Sequence, residues 1–149
     1  MLEIRQAELN DAITIATYNR AMALETEQLV LDEATSGRGV QRVLENDTLG
    51  RYYLALRNQQ TVACLLITYE WSDWRSAWFW WIQSVYVQPQ ARREGVFRAL
   101  YAHLRELAKT TPEVCGLRLY VERDNQRAQS TYRSQGMSET HYKLFEESF

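Results

Sequence analysis

Apolar and polar positions change period several times along this chain, and each change marks an element. Leu2 to Gln6 alternates and predicts a short strand. Asn10 then stands as an N-cap for a helix whose apolar positions include Ile13, Ala16 and Leu24, ending near Glu27. Asp32 caps a second predicted helix carrying Val40, Val43 and Leu44, which Gly37 and Gly39 weaken and mark as candidate break points. The middle of the chain is β-rich. Arg51 to Arg57 and Thr61 to Tyr69 predict a hairpin turning at Asn58-Gln59-Gln60. Ser76 to Val87 predicts a long, nearly all-apolar strand, as expected when both faces of a sheet are covered, and Pro89 closes it because proline cannot donate to a ladder.

From Gly95 the period becomes helical, with Val96, Leu100, His103 or Leu104, and Leu107 on one stripe until Thr110-Thr111-Pro112 stops it. Gly116 to Glu122 predicts another strand, and Asp124 or Asn125 caps a short helix bearing Ala128 and Tyr132. Gly136 follows where a left-handed C-terminal residue belongs, and His141 to Phe145 predicts a last strand. A strand, helix, strand passage over residues 76–122 is long enough for a right-handed crossover between parallel strands, whereas the hairpins before it are antiparallel. The expectation is an α/β chain with a mixed sheet of about six to seven strands and helices on both faces.

Composition narrows the class. A chain of 149 residues with 46% hydrophobic positions, 6 Gly and 2 Pro suits a single globular domain spanning residues 1–149. Its formal charge of -2 offers no global field for nucleic acid or an anionic membrane. The longest apolar runs, Val62 to Ile67 and Ala77 to Ile82, fall far short of the ~20 residues that span a bilayer. The N-terminus lacks the shape of a signal peptide, so a cytoplasmic setting is expected. Cys64 and Cys115 read as buried small hydrophobes rather than a disulfide, and His103 and His141 lack metal-ligand spacing, so no metal is expected. No G-x-S-x-G, Walker A or G-x-G-x-x-G pattern occurs.

The densest chemistry lies in Val85 to Leu100. A buried strand ends, a short basic turn with one glycine follows, and an amphipathic helix begins, which aims free backbone N–H groups and the positive helix end at one point. Arg92, Arg93 and Arg98 add charge around it, so a diphosphate is a natural ligand. An ordinary strand-to-helix connection with solvated arginines has the same local sequence.

These residues resemble the diphosphate loop of the GCN5-related N-acetyltransferase (GNAT) superfamily: Arg or Gln, two residues, Gly, one residue, Gly or Ala, just after the fourth strand. Arg92 and Gly95 match, and Phe97 takes the final small position. Asn125, Ala128, Tyr132 and Gly136-Met137 are similar to a second family signature after the fifth strand. The resemblance covers essentially the whole chain. It implies a GNAT-like acyl-CoA N-acyltransferase fold and acetyl transfer from acetyl-CoA to a primary amine, by direct attack in a ternary complex.

The same resemblance implies that pantetheine runs along Val85, Tyr86 and Val87, and that Arg92, Arg93, Glu94, Gly95, Val96, Phe97 and Arg98 hold the diphosphate. It puts Asn125 beside the pantetheine and makes Tyr132 the general acid. A phenol with a pKa of about 10 is protonated at neutral pH and donates to a departing thiolate. Some members carry a glutamate on strand four as base; here the stretch is Trp80-Trp81-Ile82-Gln83. Glu25 and Glu27, near the end of the first helix where the family often builds its acceptor site, are the remaining carboxylates, with a water-mediated base as the alternative. The acceptor is a small-molecule or peptide amine, and many relatives form homodimers.

A competing reading is a non-catalytic CoA-binding or regulatory module with the same fold. All five tryptophans fall between Trp71 and Trp81, and strand alternation sends Trp78 and Trp80 to one face and Trp81 to the other. Trp71 and Trp74, in a more polar connection, are candidates for an acceptor pocket or a dimer contact.

Overall fold

A computed structural model describes the whole chain, Met1 to Phe149. Its elements run β1 (Leu2–Gln6), α1 (Ala12–Glu27), α2 (Glu33–Glu45), β2 (Arg51–Arg57), β3 (Gln60–Ser72), β4 (Ala77–Val87), α3 (Val96–Thr110), β5 (Val114–Arg118) and α4 (Gln126–Ser134). Its internal contacts divide it into two compact parts, Met1–Leu119 and Tyr120–Phe149. The first holds the whole sheet, with strands in the order β1-β2-β3-β4-β5. The first three pairings are antiparallel and β4 with β5 is parallel, α3 supplying the crossover.

The α/β class and mixed sheet agree with the sequence reading, but the strand count is five rather than six to seven. Residues 141–145 form no strand, and α4 is the regular element of the second part. Alternation in His141 to Phe145 was a local signal, and a strand exists only where a neighbour takes its hydrogen bonds. The fifth strand also lies earlier than expected, at Val114–Arg118.

Adjacent residues of β2 show how the helices divide. Tyr52, Leu54 and Leu56 join a buried cluster with Ile15, Ala16 and Tyr18 of α1, Val40 of α2, Cys64 and Leu66 of β3, and Tyr86 of β4. Tyr53, pointing the other way, brings its ring to 6.2 Å from that of His103 on α3. Helices therefore cover both faces. Each fully buried aliphatic side chain, such as Leu54, Leu65, Leu100 or Leu104, contributes ~1.5–3 kcal/mol relative to exposure.

Several local expectations change in the same frame. A short 3-10 turn, Leu9–Asp11, precedes α1, so Asn10 is not its cap. Asp11 instead accepts two hydrogen bonds from Arg5, at 2.9 and 3.0 Å, and one from the Glu8 N–H at 2.7 Å. Ile13 and Leu24 face solvent, and α1 buries Ile15, Ala16, Tyr18 and Ala23. Helix α2 runs unbroken through Gly37 and Gly39, with Asp32 accepting from the Thr35 N–H at 2.8 Å. A good cap and one buried face outweigh the glycine penalty there. Strand β3 continues to Ser72, which puts Trp71 on a strand against Trp78, with ring centroids 4.9 Å apart, while Trp74 stays exposed in the turn. Cys64 is buried as expected, but Cys115, on the short edge strand β5, is exposed.

In the second part, α4 ends in a left-handed cap. Gly136, at φ +97°, lets its own N–H reach the Arg133 carbonyl at 3.0 Å and the Met137 N–H reach the Tyr132 carbonyl at 3.1 Å.

Candidate functional site

The sequence-marked turn sits where the sheet opens. Pairing of β5 with β4 runs from Trp78↔Val114 to Trp81↔Arg118 and stops because β5 ends there. Strand β4 continues to Val87, so its edge from Ile82 onward has no paired strand on that side. A bulge reshapes this stretch: Gln83 pairs with Leu66 and Tyr86 with Cys64, leaving Ser84 and Val85 opposite Leu65, with Ser84 at φ +51°. The Gln88 N–H donates to the Val62 carbonyl of β3 at 2.8 Å. By alternation the Tyr86 backbone also faces β3, while the backbone groups of Val85 and Val87 face the open edge. The Val87 carbonyl does point there, since Arg92 Nε donates to it at 2.9 Å.

The loop that follows is shaped for an anion. After Pro89–Ala91, Arg93 and Gly95 both adopt left-handed conformations, φ +66° and +78°, and Gly95 caps α3. The first intrahelical bond runs from the Ala99 N–H to the Gly95 carbonyl at 3.0 Å, so the N–H groups of the first turn have no intrahelical acceptor. A Cβ built on Gly95 meets nothing within 4 Å, which leaves open space against the loop backbone. Phe97 does not fill that turn: its ring packs one turn along, 6.2 Å from that of Tyr101. Val96 is buried beneath the helix start.

Charge around the loop is partly paired. Glu94 forms an ion pair with Arg57 of β2. Arg92 donates to Glu25, in the last turn of α1, at 2.7 Å, and its guanidinium lies 5.6 Å from the centre of the Tyr86 ring. Arg93 and Arg98 are exposed. Two guanidinium groups beyond the paired ones, plus a helix end worth about half a positive charge, give the loop a local surplus that suits a dianion such as a diphosphate. The donor set and the open space at Gly95 therefore fit one.

Beneath the loop, the Tyr86 ring packs against that of Tyr18 at a tilt of 41°, with centroids 4.9 Å apart, and the Tyr18 hydroxyl donates to the Thr61 carbonyl at 2.6 Å. Burial pushes the Tyr18 phenol up to about 12. Burial raises Tyr86 too, helped by the nearby Glu25 charge and opposed by Arg92.

The sequence-proposed residues thus fall into groups. Val85, Tyr86, Val87, Arg92 to Arg98 and Glu25 gather at one corner of the sheet. Glu27 ends α1 with an exposed carboxylate. Asn125 and Tyr132 belong to the second part. Asn125 Oδ1 accepts from the Ala128 N–H at 3.1 Å and so caps α4. Tyr132, half-buried on that helix, has its phenol pushed above its usual value by burial, which keeps it protonated through neutral pH.

Three polar contacts went unread in the sequence. On the sheet face shared with Gln83, Glu70 accepts from Trp81 Nε1 at 2.8 Å and from Arg118 at 3.0 and 3.1 Å, while Gln83 donates to Thr68 at 2.9 Å. Arg118 also lies 3.6 Å from the centre of the Phe79 ring. A lone carboxylate in the apolar run of β3 and a lone arginine in β5 were the available signal. Their pairing depends on register. The imidazole, thiol and carboxylate groups nowhere cluster in threes to hold a metal ion, and no helix is long and apolar enough to cross a membrane.

Comparison with known proteins agrees with this geometry. Residues 15–137 match the model of the acetyltransferase (GNAT) family. A possible acetyltransferase from Clostridium difficile 630 shares 39% identity and superposes with a TM-score of 0.94, over 100% of this chain and 98% of that one. A predicted acetyltransferase from Clostridium acetobutylicum, solved with acetyl-CoA, has 18% identity and a TM-score of 0.79, covering 99% of this chain and 96% of that one. An aminoglycoside acetyltransferase from an uncultured soil metagenomic sample has 15% identity and a TM-score of 0.80, with 99% and 96% covered. These last two share the fold. No curated protein matches the sequence.

Proposed function

Because this chain belongs to the GNAT acetyltransferase family, we propose that it moves an acetyl group from acetyl-CoA to a primary amine by direct attack in a ternary complex, residues 1–149 acting as one catalytic domain. The observation that carries this reading is the unpaired β4 edge running into the Arg92–Gly95 loop and the start of α3. Pantetheine amides have the hydrogen-bonding pattern of a strand, so the outward backbone groups of Val85 and the N–H of Val87 suit them, and the loop amides with Arg92, Arg93 and Arg98 suit the diphosphate. Asn125 would lie beside the pantetheine, as the family signature implies.

In the chemical step the amine lone pair attacks the thioester carbonyl, and the C–S bond breaks as the tetrahedral intermediate collapses. The thiolate takes a proton from Tyr132, and the proton that the attacking nitrogen sheds as it becomes an amide returns to the Tyr132 phenolate through water. An alkylamine with pKa near ~10 arrives protonated and gives its proton first to a base. Glu25, with Glu27 beside it at the end of α1, supplies the carboxylate in this reading, directly or through water. The acceptor is a small-molecule or peptide amine.

Tyr132→Phe tests the assignment. Free thiol release from acetyl-CoA is followed across a panel of polyamines, amino acids, aminoglycosides and peptide N-termini, alongside CoA affinity by calorimetry. The variant should lose about 10²–10⁴ in turnover, the usual weight of one general acid, with CoA affinity unchanged. Equal turnover in both proteins removes the acid role. CoA binding with no turnover on any amine favours the non-catalytic module.

A further inference from the structure

Two carboxylates lie at the loop, and they are held differently. Glu94 is paired with Arg57, which lies on β2 outside the loop. Glu25 is paired with Arg92, the first residue of the loop itself, at 2.7 Å and across 67 positions of sequence. Arg92 has little freedom to serve a second partner by turning. Its Nε–H is committed to the Val87 carbonyl at 2.9 Å, and its planar group lies over the Tyr86 ring. The nitrogen given to Glu25 is on the fork that a bidentate anion would use. Glu25, in the last turn of α1, is as exposed as Arg92, but its carboxylate is held by this one ion pair.

Resting on the acetyl-CoA reading, we propose that Glu25 is an internal counter-anion of the diphosphate loop: it occupies Arg92 in the free protein, and the CoA diphosphate displaces it. Competition follows from charge. A carboxylate and a diphosphate cannot share one orientation-locked guanidinium without either exchanging hydrogen bonds or standing as close like charges, and both oppose simultaneous occupancy.

Calorimetric titration of CoA into the wild-type chain and the Glu25→Gln variant tests this. Glutamine keeps the shape and can still accept from Arg92, but carries no charge. An exposed ion pair is worth at most about 1 kcal/mol, so the variant should bind CoA up to about fivefold more tightly at low salt. Glu27→Gln removes the same charge two residues on and should change CoA affinity less than twofold. Acetylpantetheine, which lacks the diphosphate, should bind wild-type and Glu25→Gln chains equally. Unchanged or weaker CoA binding by Glu25→Gln, an equal gain from Glu27→Gln, or the same gain with acetylpantetheine overturns the proposal while leaving the acetyltransferase reading intact. Failure of CoA to bind any of the three chains overturns both.

Discussion

Replacing Gly95 by alanine separates the loop's conformational demand from its role as an anion cradle. Gly95 sits at φ +78°, and a Cβ there meets no atom within 4 Å. The structural cost is therefore the left-handed penalty of an L-residue, about 1–2 kcal/mol, with no clash added. At about 2–4 °C per kcal/mol for a chain of this size, Gly95→Ala should unfold about 2–8 °C lower without ligand. Wild-type protein with CoA at 100 times its dissociation constant gains about 2.7 kcal/mol, or about 5–11 °C. The new methyl stands in the open space against the loop backbone, where a diphosphate needs close approach. If it weakens binding tenfold, the same CoA concentration leaves only about 1.4 kcal/mol, so the ligand-induced shift should halve. Thermal unfolding of both proteins with and without CoA measures both quantities. A variant that keeps the full shift would refute the placement of the diphosphate, and an unliganded loss well beyond 8 °C would refute the claim that the space at Gly95 is empty.

Two further predictions concern stability and reactivity. Hydrogen bonding from Arg5, then from the Glu8 N–H, together with the Arg5 charge, holds the Asp11 carboxyl below its usual value against the opposing effect of burial. A depressed carboxylate contributes stability that is present above the unfolded pKa of about 3.9 and lost as pH falls through the folded value. Asp11→Asn should therefore cost about 1–2 kcal/mol at pH 7, and the gap from wild type should narrow as pH falls below the unfolded pKa of about 3.9; a constant gap in urea unfolding across that range rejects the linkage. Burial pushes the Cys64 thiol up to about 12, while Cys115 is exposed. A disulfide reagent should label Cys115 in the native protein and Cys64 only after denaturation, and rapid native labelling of Cys64 would contradict its burial.

Much of the fold could be read from local signals because those signals are covalent or periodic. The β2–β3 hairpin, the long apolar β4 and the amphipathic α3 all lie close to where periodicity put them, and Gly136 takes the left-handed turn that its place after α4 implied. The strand, Gly95 and helix N-terminus of the candidate site are contiguous in sequence, so this strand, turn and helix were legible with no knowledge of packing. Reading failed where an element needs a partner. His141 to Phe145 alternates like a strand yet pairs with none, and Cys115 looked like a core residue until β5 proved to be an edge strand.

What the sequence by itself determined is therefore the set of local conformations, the turn at Gly95 among them, since dihedral preference, capping and side-chain period act over a few residues. Only the tertiary structure decided which charges meet. Glu25 reaches Arg92 across 67 positions, and Glu70 reaches Arg118 across 48. Neither pair leaves a trace in composition or spacing, because an ion pair depends on distance in space, which the β4 bulge, the short β5 and the packing of α1 against the sheet together set.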